Sequence, residues 1–191
     1  MNSMQVSKKI LQIKIPKTAS SSIEEGVIRL CRKAPVQKFR SFGHGNPVAQ
    51  DYPNCFVIVS VRNPYDRLLS AYRYIIENKK GKPDHKYIFD LGTFENFALS
   101  IAEHAYKNTF FYPQVKWLVH NNDPAYNFIM RYETLQDDWD RFVARYTKIK
   151  IKLPHIRPSK HIPWNQMYNQ KMRDAVYDVY KSDFDLLNYP A

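Results

Sequence analysis

Lys17 stands where an apolar stretch gives way to a run of hydroxyls, in Ile15-Pro-Lys-Thr-Ala-Ser-Ser-Ser-Ile23, and this is how an anion cradle is composed. The N–H groups at a helix start carry partial positive charge, to which the lysine adds a full one. Thr18, Ala19, Ser20, Ser21 and Ser22 could therefore surround a phosphate or sulfate. The same letters have a plainer reading: Ser21 or Ser22 followed three residues later by Glu24 or Glu25 spells a capping box. A second cation, Arg62, precedes Ser70 by eight positions. Ser70 lies about 200° around a helix from Leu68, away from the apolar stripe, so it and Arg62 could converge on one anion. A surface ion pair and a solvated serine would give the same spacing. His44, between Gly43 and Gly45, is a third polar candidate, with an ordinary surface histidine as its alternative.

The elements that must position these residues are legible in the periodicity. Leu11, Ile13 and Ile15 alternate with Gln12 and Lys14, the period of a half-buried strand, and Ile23, Val27, Leu30, Cys31 and Ala34 recur at helical spacing. Lys17 is thereby put on a strand-to-helix junction. A short strand is predicted over Val36–Phe42 and a turn-rich loop over Ser41–Pro47. The β-branched run Cys55–Val61 predicts a central strand buried on both faces, ending at Arg62. Asn63 can cap the next helix, with Pro64 at its first position and Asp66 in its first turn; Leu68, Tyr72, Ile75 and Ile76 supply its apolar stripe. Lys79–Asp90 reads as an exposed loop or lid. Thr93 should cap a helix carrying Phe94, Phe97, Ala98, Ile101 and Ala105. Val115–Val119 and Asn127–Tyr132 look like short strands. A helix from Thr134 should bury Leu135, Trp139, Phe142, Val143 and Tyr146. Lys148–Leu153 alternates like an edge strand. Pro154–Trp164 is a donor-rich loop holding His155, Arg157, Ser159, Lys160 and His161, and a last helix carries Met172, Ala175, Val176, Val179 and Tyr180. The opening β-α-β-α order predicts an α/β fold with a central, mostly parallel sheet flanked by helices. Ligands then sit beyond the carboxyl ends of the strands, where Lys17 and Arg62 fall.

Composition bounds the partner. The 191 residues suit a single domain over 1–191, and a net charge of +11 calls for an acidic partner: nucleic acid, a membrane surface, a polyanionic polymer or a phosphorylated cofactor. No run approaches the roughly 20 apolar residues of a membrane span, so a soluble, cytoplasmic protein without integral membrane contact is expected. Cys31 and Cys55 read as reduced, buried thiols, and no residues show metal-ligand spacing, so no metal is expected. Nothing in the pattern speaks to oligomeric state.

Pro16-Lys-Thr-Ala-Ser-Ser-Ser22 and Val61-Arg-Asn-Pro-Tyr-Asp-Arg-Leu-Leu-Ser-Ala-Tyr72 together resemble sulfotransferases that use 3′-phosphoadenosine 5′-phosphosulfate (PAPS). The resemblance is closest to the carbohydrate-modifying, Golgi-type branch and its uronosyl 2-O-sulfotransferases. Arg131-Tyr-Glu133 and Tyr180–Tyr189 extend it over nearly the whole chain. It implies a three-layer, P-loop-like α/β fold and in-line sulfuryl transfer to an acceptor hydroxyl. In that resemblance Lys17 through Ser22 hold the 5′-phosphosulfate, Arg62 and Ser70 the 3′-phosphate, and Ser159 and Lys160 close over the latter. His44 would be the general base, with Glu24 and Glu25 as alternatives drawn from other branches. The acceptor implied is a carbohydrate or other hydroxyl compound, an acidic polysaccharide suiting the positive charge, and not nucleic acid. Tyr72, Tyr74, Trp117 and Trp164 could stack on sugar rings, contact adenine or simply pack the core.

Two departures stand out. Ala19 occupies a position where the family commonly has glycine, so the loop must hold a conformation that alanine can adopt. The chain also begins only about a dozen residues before the loop, too few for an anchor, so a Golgi address is not carried over. Other classes give other readings: a nucleotide kinase, whose Walker loop would end in Gly-Lys-Ser/Thr where Lys17 here begins the loop; a basic nucleic-acid-binding module; or a cofactor binder without catalysis.

Overall fold

The structure is a computed structural model that describes residues 9–43, 52–154, 156 and 162–191. Along the chain run β1 (Lys9–Lys14), α1 (Ser20–Cys31), β2 (Gln37–Gly43), β3 (Cys55–Val61) and α2 (Pro64–Asn78). A 3₁₀ turn (Pro83–His85), α3 (Lys86–Asp90), α4 (Phe94–Leu99), α5 (Ile101–His104) and α6 (Val115–Leu118) follow. Then come β4 (Val119–His120), β5 (Asp123–Pro124), β6 (Phe128–Arg131), a second 3₁₀ turn (Tyr132–Thr134), α7 (Leu135–Val143), α8 (Trp164–Met167) and α9 (Gln170–Leu187). Two compact units result, Met1–Val61 with Lys116–Pro158, and Arg62–Val115 with Ser159–Ala191.

The first unit is a four-stranded sheet in the order β2-β1-β3-β6, parallel at every pairing, as an α/β fold requires. Ile10, Ile58 and Met130 share one face with Ile23, Val27 and Leu30 of α1 and with Trp139 and Phe142 of α7. Each such aliphatic side chain contributes about 1.5–3 kcal/mol on burial, as an upper estimate. Leu11, Ile13, Val57, Val59 and Val61 alternate with these and are also buried, so both faces of β1 and β3 are covered.

That departs from the half-buried reading of β1, and the polar residues of the alternation explain why. Gln12 is buried and donates through Nε2 to the Ser20 carbonyl at 2.8 Å, while Lys14 pairs with Glu24. Both therefore face α1 rather than water and tie its first turns to the sheet. Gly26 lets this helix come close, because a Cβ there would lie 2.5 Å from Leu153 and 2.9 Å from the Trp139 ring.

Lys148–Leu153 forms no strand despite its alternation. Its main chain is bonded to side chains of α7 instead: Trp139 Nε1 donates to the Ile151 carbonyl at 2.6 Å, and the Leu153 N–H donates to Gln136 Oε1 at 3.1 Å. The expected strand Val115–Val119 is α6 followed by the two-residue β4, which pairs antiparallel with β5. Asn121 and Asn122 connect them at φ 49° and 65°, the positive values a tight two-residue hairpin needs.

The second unit is helical. Leu68, Leu69, Tyr72 and Ile75 of α2 pack with Phe94, Phe97 and Ala98 of α4, Ile101 of α5 and Met172, Val176, Tyr180 and Phe184 of α9. Asn63 caps α2 as expected, accepting from the N–H groups of Tyr65 and Asp66, and Thr93 caps α4 by accepting from Asn96. The helix expected from Thr93 to Ala105 is broken at Ser100, whose hydroxyl donates to the Asn96 carbonyl at 2.9 Å. Lys79–Asp90 is not wholly a loop: its second half turns helical and buries His85 and Ile88.

Candidate functional site

The loop between β1 and α1 bends sharply. Lys17 and Ala19 both adopt left-handed backbone, at φ 68° and 63°. Ala19 occupies the N-cap position of α1, and no side chain caps the helix. The capping-box reading of the serines thus does not hold. Ser22 Oγ instead accepts from the N–H of Ile156 at 3.2 Å, which brings Ile156 against the helix start. A left-handed residue followed by right-handed helical ones turns successive N–H groups toward one side, forming a nest for an anion. Ala19 followed by Ser20 is such a pair, and the α1 dipole points the same way.

Below the loop, Thr18 is fully buried, and its hydroxyl donates to the Ile15 carbonyl at 2.9 Å while lying 2.8 Å from Ser60 Oγ. A hydroxyl has one proton to give, so Thr18 Oγ1 props the turn and Ser60 donates to it. Ser60 escaped the sequence reading, although it is the single hydroxyl inside an otherwise apolar strand. Lys17 and Ala19 are half-buried and Ser21 is exposed. Glu24 pairs with Lys14 and Glu25 with Arg29.

β3, the parallel neighbour of β1, ends one residue before Arg62. Arg62 and Ser70 are 2% and 3% exposed, so the serine is not solvated, and the ion pair that Arg62 makes, with Asp66, is buried rather than at the surface. The first turns of α2 are buried almost all round, so the side turned from the apolar stripe is interior too. Arg62 Nε donates to Asp66 Oδ2 at 2.7 Å. Its main chain is held as well: the N–H donates to Gln114 Oε1 at 3.0 Å, and the carbonyl accepts from Gln114 Nε2 at 2.9 Å.

A second guanidinium in this unit, Arg67, donates to the carbonyls of Phe110 and Tyr112 at 3.2 and 2.6 Å. Its environment is dry enough that burial pushes it down and pushes Tyr180 and Asp183 up.

Three of the four aromatics proposed for stacking on a ligand pack against other rings. Tyr72 packs between Phe94 and Phe97, and Trp164 stacks on Tyr65 with ring centres 5.0 Å apart. Trp117 is buried, and Tyr74 packs on Phe110. Cys31 and Cys55 are half-buried, where full burial was expected. His44, Ser159 and Lys160 lie outside the described residues.

A family model described as "Sulfotransferase family" matches residues 3–190. The chain belongs to the Sulfotransferase family. Neither curated proteins nor solved structures give a match. Membership makes this sulfotransferase a transferase of sulfuryl groups to a hydroxyl-bearing acceptor, which favours that chemistry over the kinase and nucleic-acid readings. Among the described residues, no helix of the sulfotransferase is long and apolar enough to cross a membrane, and no His, Cys, Asp and Glu cluster could hold a metal ion.

Proposed function

We propose that this sulfotransferase moves a sulfuryl group from PAPS to the hydroxyl of a carbohydrate acceptor, in line, with His44 as general base. The observation that carries the donor assignment is the loop: two left-handed residues, one of them a lysine, lead into a helix start that no side chain caps. That arrangement fits a terminal phosphate.

PAPS, when bound, supplies the activated sulfuryl group. The N–H groups of Thr18 to Ser21 would hold its 5′-phosphate, the Ser22 N–H being taken by the Ala19 carbonyl at 2.9 Å, and Lys17 would stabilise negative charge building on the leaving group. Arg62 reads the 3′-phosphate with Ser70, a contact that neither adenosine phosphosulfate nor 5′-AMP can make. Ser159 and Lys160 close over that phosphate. His44 takes the acceptor proton. Glu24 and Glu25 are second candidates for the base, and their engagement with Lys14 and Arg29 supports ranking them behind it. The net charge of +11 supports an acidic polysaccharide as acceptor.

Calorimetric titration with 3′-phosphoadenosine 5′-phosphate (PAP) against 5′-AMP tests the donor. A large preference for PAP is expected, reduced by Lys17→Ala and by Arg62→Ala; equal affinities would overturn the assignment. His44→Ala should bind PAP like the parent and lose transfer to a carbohydrate panel, and full activity would place the base elsewhere.

A further inference from the structure

Arg62 is held through its side chain by Asp66 and through its main chain by Gln114, 52 positions along the chain. The Gln114 side-chain amide pairs with the Arg62 peptide groups on both edges, accepting from the N–H at 3.0 Å and donating to the carbonyl at 2.9 Å. Gln114 is itself held by Asp183, whose Oδ2 accepts from its main-chain N–H at 2.8 Å and from its Nε2 at 3.3 Å. The other carboxylate oxygen, Oδ1, accepts from the Val115 N–H at 2.9 Å. Gln114 and Asp183 are both fully buried.

A carboxylate in such a place is costly unless its lone pairs are satisfied. Burial does push the Asp183 carboxyl up, opposed by Arg67 and by the Gln114 and Val115 N–H groups. Gln114 and Asp183 sit beside an apolar cluster of aromatic and aliphatic side chains, so a glutamine and an aspartate are expensive choices if the need were only packing.

We propose that Gln114 and Asp183 are positioning residues for the 3′-phosphate contact: Asp183 orients the Gln114 amide, and the amide locks the Arg62 main chain so that its guanidinium is presented in one place. Asp66 fixes the side chain at Nε, and Gln114 fixes the backbone from which that side chain springs. The inference rests on the PAPS reading of Arg62. Selectivity for a 3′-phosphate then depends on two residues that need not touch the ligand, because a small displacement of a binding group costs a large factor in affinity.

The test compares PAP with 5′-AMP on Gln114→Met, which keeps length and removes both bonds, and on Asp183→Asn, which keeps shape and places a donor against donors. Both variants should lower the PAP-to-AMP affinity ratio by about tenfold while leaving 5′-AMP affinity near the parent's. Ile88→Val, which disturbs the same core away from these bonds, should lower the melting temperature and leave the ratio unchanged. If the variants lose stability but keep the parent ratio, or lose both ligands equally, the two residues only support the fold and the proposal is overturned. A parent that shows no preference for PAP refutes the donor reading itself, an outcome visible before any variant is made. Asp183→Asn keeps the proposal testable should Gln114→Met not fold.

Discussion

Replacing Ala19 with glycine should stabilise this protein, although it removes a methyl group from a half-buried position. Ala19 holds φ 63° and ψ 22°. An L-residue with a Cβ sits there at a cost of about 1–2 kcal/mol, because the Cβ crowds the following carbonyl oxygen. Glycine escapes that cost but has more freedom to lose on folding, which offsets about 0.4–1 kcal/mol. The difference leaves Ala19→Gly more stable by about 0.5–1 kcal/mol. For a chain of 191 residues this raises the melting temperature by about 1–4 °C. Scanning calorimetry and urea melts would read it, with an unchanged denaturant slope showing that the native state is otherwise the same. Ala19→Val should move the other way, since a β-branched side chain tolerates this backbone least. A glycine variant no more stable than the parent, or a valine variant equal to it, would refute the left-handed assignment. Lys17 is the sharper case, at φ 68°. Lys17→Gly should gain stability by the same reasoning while losing PAP affinity, so that one substitution moves stability and binding in opposite directions, as strain kept at a functional site requires.

Two more outcomes follow from packing and from protons. Gly26→Ala would gain about 1 kcal/mol of helix propensity, yet its Cβ would meet the rigid Trp139 ring at 2.9 Å, so overpacking of about 1–3 kcal/mol should prevail and the urea midpoint should fall; a stabilised variant would show that α1 can move away. His85 and His104 are pushed down by burial first, with Lys79 and Lys107 adding to it. Their folded values lie below the unfolded value of about 6.5, so both are neutral at pH 7.5 at no cost, and stability is lost as pH falls below about 6.5 while the unfolded chain takes up protons first. Thermal melts from pH 7.5 to pH 5 should show this loss, and His104→Gln should make it shallower; an unchanged slope would mean that His104 titrates alike in both states.

What could be read from the sequence was whatever local spacing encodes. β1, α1, α2 and α9 follow from periods of two and 3.6, β3 from an unbroken apolar run, and the Asn63 and Thr93 caps from single residues beside apolar runs. Where the reading failed, tertiary partners outweighed local pattern. Lys148–Leu153 alternates like a strand, but Trp139 and Gln136 take its main-chain groups before any ladder can. Gln12 and Lys14 look solvent-facing because they are polar, yet both are bonded to α1. The serines of the loop spell a cap, but a left-handed Ala19 takes the N-cap place and Ser22 is bonded to Ile156.

The same division runs through the candidate site. Lys17, Arg62 and Ser70 are legible because charge and hydroxyl groups at a strand end or on a helix stand out against apolar neighbours. The groups that shape them do not stand out: Ser60 is one letter in an apolar strand, and Gln114 and Asp183 are 52 and 121 positions from Arg62. No periodicity connects residues so far apart; only folding puts an amide against a peptide group and a carboxylate behind the amide. On the proposed reading of Arg62, selectivity for one phosphate over another depends on how little the binding group can wander, and the restraint would come from residues remote in sequence. Search by motif alone therefore finds the groups that touch an anion and overlooks those that hold them still.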